Sequence, residues 1–277
     1  MMKWLIPTIG LGFLFVACTD DPVDPVQNPS VGGSSNVLPG SGGQTQQSPG
    51  TGGAQTPKGG ATGTGGSSST TTTTTPPGNG SCLLTPTADT GWIDAATNDC
   101  QIQGAWYSYN DCNTSPGDCT TDQIPAVGGD GFPNTGGKMC TSGTTVAINE
   151  AYETKWGAGI GLNLNQPGGD DTKNPIGTLP KTVKGFRFTL SGTKFPKELR
   201  VTFPTATTEK TGHFKKLSSV TPGEYTVLFT EAAQGDWVKT PVDLVPGEVN
   251  AIQFQICAEN TAAAPFDFCV ENLTALY

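Results

Sequence analysis

Val249-Asn-Ala-Ile-Gln-Phe-Gln-Ile256 alternates strictly, with Ile252, Phe254 and Ile256 set against Gln253 and Gln255. In an extended chain successive side chains point to opposite faces, so this segment reads as a β-strand with one apolar face and one face of amides. The same period of two runs outward from it in both directions. Phe266, Phe268 and Val270 open a last strand that continues to Leu276. Upstream, Tyr225, Val227 and Phe229 alternate with Thr226 and Leu228, and Leu199, Val201 and Phe203 with Arg200 and Thr202. Phe186, Phe188 and Leu190 alternate with Arg187 and Thr189, and Ile160, Leu162 and Leu164 with Gly161 and Asn163. Ile102, Gly104 and Trp106 face one way, while Gln103, Ala105, Tyr107 and Tyr109 face the other. Turn text such as Pro167-Gly168-Gly169, Pro222-Gly223 and Pro246-Gly247 separates the segments. No stretch holds a helical period of useful length. The expectation is an all-β fold of antiparallel strands, in a sandwich or barrel; a two-sheet jelly roll deals best with the exposed edges.

This patterned region spans residues 81–277 and suits one all-β domain. Residues 18–80 have another composition. Asp20, Asp21 and Asp24 are followed, from Gln27 to Gly80, by mainly Gly, Ser, Thr, Pro, Gln and Asn with Lys58 as the one charge. The threonine run Thr70–Thr75 and Pro76-Pro77 close it. Such text buries too little apolar area to offset about 1–2 kcal/mol of backbone entropy per residue, which predicts a disordered stalk. Residues 1–17 read as an export signal, with Lys3 ahead of a short apolar run that ends Leu14-Phe15-Val16-Ala17 before Cys18. The run is shorter than the about 20 residues a spanning helix needs. Its ending resembles the lipobox of bacterial lipoproteins, which implies that Cys18 is acylated and anchors the protein to the cell envelope. Thr19 after the cysteine leans towards the outer membrane. The alternative is a secreted protein cut near Ala17.

The formal net charge of -9, pI near 4.5 and only 15 Lys+Arg exclude the basic footprint that nucleic acid requires. Eight cysteines accompany the export signal. No two lie as close as a C-x-x-C pair, and His213 alone cannot complete a zinc set, so disulfides in an oxidising compartment are expected. Cys112 and Cys119 enclose a short polar loop and are expected to pair. Beyond Cys18 seven remain, so one thiol is free, intermolecular, or a sign that the lipobox reading fails. An enzyme reading finds little support. His213 sits in what reads as a polar turn, no nucleophile or phosphate-loop motif is present, and nothing singles out a pair among Glu150, Glu153, Glu231 and Glu271.

The segments Val183–Gly192, Leu199–Phe203, Gly235–Leu244, Val249–Ile256 and Pro265–Leu276 follow one another in an order that resembles the galactose-binding-like jelly rolls among carbohydrate-binding modules. There a tryptophan strand (here Trp237) precedes an apolar strand, and an apolar-acid-Asn-apolar strand closes the sheet. The resemblance covers roughly residues 101–277 and implies a polysaccharide or cell-surface glycan as partner, bound without catalysis. In that family the closing acid is commonly an Asp that helps hold a structural calcium; here it is Glu271, a departure. A second calcium candidate is the oxygen-rich run Asp111, Asn113 and Ser115, with Asp118 and Asp122 behind it. The metal is left open, since a disulfide loop accounts for the same residues.

If the apolar residues fill the core, their alternates form a second face carrying Asn163, Arg187, Arg200, Gln253 and Gln255. Planar amides and guanidinium groups suit sugar hydroxyls, because they present donors and acceptors in fixed geometry. Tyr107, Tyr109, Tyr152, Trp156 and Trp237 are candidates to stack on a sugar's CH face. The alternatives are a solvated sheet surface, with Trp106 and Trp156 in the core, or a structural or adhesive protein whose partner is another protein.

Overall fold

The alternating segments pair into two antiparallel sheets in a computed structural model of the protein, which describes residues 80–88, 90–128, 132, 134–166, 179, 183–205 and 212–277. The signal segment, Cys18, the stalk up to residue 79 and the Pro167-Gly168-Gly169 turn lie outside the described residues. Thirteen strands follow in chain order: β1 (Ser81–Leu83), β2 (Trp92–Ile93), β3 (Gly104–Asn110), β4 (Thr121–Ile124), β5 (Asn134–Thr135), β6 (Lys138–Thr145), β7 (Gly157–Asn163), β8 (Gly185–Lys194), β9 (Glu198–Phe203), β10 (His213–Ser218), β11 (Gly223–Leu228), β12 (Ala251–Cys257) and β13 (Ala264–Leu276). One sheet has seven strands in the order β11-β8-β13-β6-β4, with β1 also on β13 and β5 also on β6. The other has six, in the order β10-β9-β12-β7-β3-β2. The last two strands of the chain enter the middle of the two sheets, β12 between β7 and β9, and β13 between β6 and β8. From β6 to β9 successive strands change sheet. The all-β, two-sheet jelly-roll expectation therefore holds.

The period of two explains the core. Phe186, Phe188, Leu190, Phe266, Phe268 and Val270 of the seven-stranded sheet are buried against Leu199, Val201, Phe203, Ile252, Phe254, Ile256, Ile160 and Leu162 of the other. Aromatic pairs tie the layers: Phe188 meets Phe254 edge to face with centroids 4.9 Å apart, and Phe203 meets Phe229 at 4.9 Å. Trp106 lies in this core, stacked on Phe254 at 6.1 Å.

Among the described residues three disulfides staple the domain: Cys82–Cys100, Cys112–Cys119 and Cys140–Cys269. The expected short bridge across 112–119 is among them. The seventh cysteine of the domain, Cys257, ends β12 and is itself disulfide-bonded, with Sγ 3.7 Å from Glu198 Oε1.

The outer surface of the seven-stranded sheet is a solvated ladder of pairs. Lys138 Nζ lies 2.9 Å from Glu271 Oε1, and Ser191 Oγ donates to the same carboxylate oxygen. Burial opposes ionisation of Glu271, but the Ser191 hydroxyl and the Lys138 charge outweigh it and hold its carboxyl below the usual value. Arg187 belongs to this surface, which corrects its assignment to the Arg200 face. It lies between Thr226 and Thr274 and 3.9 Å from Glu224. Strands β8 and β9 adjoin in sequence yet join different sheets, so their polar alternates point away from each other.

Candidate ligand-binding face

The outward face of the six-stranded sheet is built by cross-strand register. Lys216 of β10 pairs with Arg200 of β9, Arg200 with Gln255 of β12, Gln255 with Gly159 of β7 and Gly159 with Tyr109 of β3. Two residues along, Phe214, Thr202, Gln253, Gly161 and Tyr107 form a parallel row. Residues in register share a face, so each row runs across five strands, or about 19 Å at the usual spacing of strands.

One end of the face is aromatic because β7 alternates glycine. A Cβ on Gly159 would lie 2.4 Å from Tyr109 Oη, and one on Gly161 would lie 2.6 Å from Tyr107 Cζ. With hydrogen in those places, both tyrosine rings lie over the β7 backbone, their centroids 5.9 Å apart. Gln253 Nε2 donates to Tyr107 Oη at 2.8 Å and fixes that ring. Trp156 stacks on Tyr109 with centroids 5.9 Å apart and is itself buried. Burial pushes the Tyr107 phenol well above its ordinary value, against the Gln253 hydrogen bond that lowers it. Burial and then the neighbouring Tyr107 push Tyr109 the same way. Both phenols are neutral at any physiological pH.

The other end is cationic and aromatic. The Arg200 guanidinium lies 4.4 Å above the Phe214 ring and 5.5 Å from Trp237, and these two rings stack at 5.9 Å with 11° between planes. Glu198 Oε1 accepts from Arg200 Nε at 2.8 Å, and Glu198 Oε2 lies 2.8 Å from Lys216 Nζ. The loop carrying Trp237 is pinned at its far side. Gln234 Oε1 accepts from Val242 N at 2.8 Å, and His213 Nε2 donates to Val242 O at 2.7 Å. His213 is thus no turn residue, as its sequence setting suggested. It opens β10 in register with Phe203 and is buried.

Between these ends runs a strip of amides and a hydroxyl. Gln253 and Gln255 are 3% and 6% exposed. Gln255 Nε2, Thr202 Oγ1 and Trp237 Nε1 are buried without a hydrogen-bond partner. Buried polar atoms are nearly always paired, so these three donors and acceptors are open to a further partner.

Of the residues picked from sequence, Tyr107, Tyr109, Trp156, Arg200, Trp237, Gln253 and Gln255 are brought together here. Asn163 is at the periphery, one residue pair further along β7, where its Nδ2 donates to Gln166 Oε1 at 3.3 Å. Tyr152 sits half-buried in the turn before β7, and Arg187 is on the opposite side of the sandwich. Phe214, Lys216 and Glu198 were missed. The alternation of His213-Phe-Lys-Lys-Leu-Ser218 was the available signal, but a strand with two lysines and one clear core residue resembles a solvated segment.

The oxygen-rich loop has a structural role. Both Asp111 oxygens accept backbone N–H groups, Oδ1 from Thr120 at 2.6 Å and Oδ2 from Gly157 at 3.1 Å, beside the 112–119 bridge. Asp118 turns to Lys155 instead. Of the oxygens offered as a calcium candidate, those of Asp111 and Asp118 are therefore engaged separately. Glu231 and Glu271 are also apart in role, the former accepting from Leu228 N at 2.8 Å and the latter held by Lys138.

No protein-family model and no curated protein matches the chain. Among solved structures it is similar to the family 11 carbohydrate-binding module of the cellulosomal cellulase Lic26A-Cel5E of Clostridium thermocellum, at 14% identity and TM-score 0.35, over 62% of this chain and 87% of that one. The family 11 module solved in complex with a β-1,3-1,4-mixed-linked tetrasaccharide matches at 11% identity and TM-score 0.36, over 62% and 88%. A family 29 carbohydrate-binding module matches at 13% identity and TM-score 0.34, over 71% of this chain and 87% of that one.

Proposed function

We propose that the protein is a lipid-anchored, surface-displayed domain that binds a saccharide non-covalently on the outward face of its six-stranded sheet. The observation that carries this reading is the pair of tyrosine rings laid over Gly159 and Gly161 beside unpaired Gln255 and Thr202. A sugar ring offers an apolar CH face and a rim of hydroxyls that both donate and accept. Flat aromatic rings receive the first, and amides with a guanidinium receive the second. Among the described residues the two rows and their flank hold one carboxylate, Glu198, already shared by Arg200 and Lys216. Glycoside hydrolysis needs two carboxyl groups about 5–9.5 Å apart, so this face supports binding rather than cleavage. Anchoring rests on the sequence around Cys18.

The test is affinity electrophoresis of the exported protein through a panel of polysaccharides, with and without calcium. Retention by at least one polysaccharide is expected. Arg200→Ala and Gln253→Ala should each weaken it, the first by about 1.5–3 kcal/mol and the second by about 0.5–1.5 kcal/mol. Migration unaffected by every polysaccharide would instead favour an adhesive protein that binds another protein.

A further inference from the structure

Thr202 Oγ1, Gln255 Nε2 and Trp237 Nε1, the unpartnered buried atoms of the face, are gathered by cross-strand register. Phe214 of β10 lies opposite Thr202 of β9, and Gln255 of β12 lies opposite Arg200, two residues before Thr202. Opposed side chains are about 5 Å apart at Cβ. The Trp237 ring bridges the two pairs, stacked on Phe214 at 5.9 Å and centred 5.5 Å from the Arg200 guanidinium carbon. The three atoms differ in what they can do. The amide NH2 and the indole N–H only donate, whereas the hydroxyl also accepts. Beside them the Phe214 and Trp237 rings supply an apolar wall.

From this juxtaposition we propose that Thr202, Gln255 and Trp237 form a subsite for an acetamido group, so that the ligand is a polysaccharide of N-acetylated amino sugars. This rests on the reading of the face as a saccharide site. An acetamido group answers all three atoms and the wall together. The two lone pairs of its carbonyl accept from Gln255 and Trp237, its N–H donates to the Thr202 hydroxyl, and its methyl lies against Phe214. A ring hydroxyl has a single proton and no methyl to meet the wall. Trp237 is half-buried and lies in the connection between β11 and β12, outside any strand. Rotation of its side chain opens the buried donors to the group, a common scale of change on binding. The tyrosines at the other end of the face then hold neighbouring sugar rings.

The experiment sets chitotetraose against cellotetraose, which share one backbone and differ by an acetamido or a hydroxyl group on each ring. Titration calorimetry on the full exported protein should show chitotetraose binding about tenfold more tightly, the equivalent of one to two net hydrogen bonds. Thr202→Val keeps the shape and removes the acceptor, and Trp237→Phe keeps an aromatic ring and removes the donor. Each should cut the preference by roughly two- to tenfold, with affinity for cellotetraose held within about twofold. Thr202→Val should leave the thermal midpoint in place, so it stays informative if Trp237→Phe unfolds the domain. Equal or weaker binding of chitotetraose, or retention confined to polysaccharides without N-acetyl groups, overturns the inference and leaves the saccharide reading intact. Absence of retention by every polysaccharide removes both. Folded Thr202→Val protein that keeps the full preference, or weakens for both chains alike, overturns the role of the three atoms.

Discussion

Asp111 shows how much one side chain contributes when it satisfies backbone from two elements. It is fully buried and receives N–H groups from Thr120, just before β4, and Gly157, the first residue of β7. Asp111→Ala leaves two buried donors without acceptors, which costs about 2–6 kcal/mol in chemical denaturation at about 1–3 kcal/mol for each group. Burial raises its carboxyl above 3.8, with the Thr120 and Gly157 bonds opposing. The folded state then holds this proton more tightly than the unfolded chain. Its contribution to stability is complete below 3.8 and falls as pH rises through the folded value. The difference between wild type and Asp111→Ala should therefore be larger at pH 4 than at pH 7, and a pH-independent difference would remove the assignment. Gly159 and Gly161 offer a second residue-scale test. Alanine at either position strikes the overlying tyrosine, so the ring must lift at a cost of about 1–3 kcal/mol, typical of overpacking. Near-ultraviolet circular dichroism should register the displaced rings, and polysaccharide retention should fall more than after Asn163→Ala.

The elements themselves differ in what holds them. Cys140 and Cys269 join the central strands β6 and β13 across 129 residues of sequence, whereas Cys112 and Cys119 close a loop of 7. In the loop-entropy model the long bridge is worth about 5 kcal/mol and the short one about 2–3 kcal/mol. Replacing Cys140 and Cys269 together by alanine should lower the thermal midpoint more than replacing Cys112 and Cys119; the reverse order would show that the short loop is strained without its bridge. The strands were legible because burial on one side imposes a period of two, as in Ile252-Gln-Phe-Gln-Ile256. Sheet membership was not, because alternation is local while pairing is not. Arg187 and Arg200 carry the same pattern and end on opposite surfaces of the sandwich. The role of Gly159 and Gly161 was hidden as well, since the tyrosines that need the space come from another strand about 50 residues earlier in the sequence. His213 read as polar because its neighbours are, although register with Phe203 turns it inward.

At the scale of the whole molecule, the proposed display rests on acylation of Cys18, and the cysteine count supplies a competing outcome. Six of the eight cysteines form the three bridges among the described residues; of the other two, Cys18 lies outside those residues and Cys257 is itself disulfide-bonded. An acylated Cys18 has no thiol to offer, because the sulfur carries the lipid as a thioether. A Cys18 joined to Cys257 would be held by a disulfide and would carry no anchor. The two outcomes differ in mass, in solubility and in response to reductant. Acylation predicts that the protein partitions into membranes, that Cys18→Ala moves it to the soluble fraction, and that dithiothreitol does not. The shift should be large, because one acyl chain binds a membrane only marginally while several bind firmly. Saccharide retention of the released Cys18→Ala protein should equal that of the anchored one, since all the binding-face residues lie between Tyr107 and Gln255. A soluble wild-type protein whose N-terminal peptide is freed from Cys257 only on reduction would remove the anchor and leave a secreted binding domain in its place.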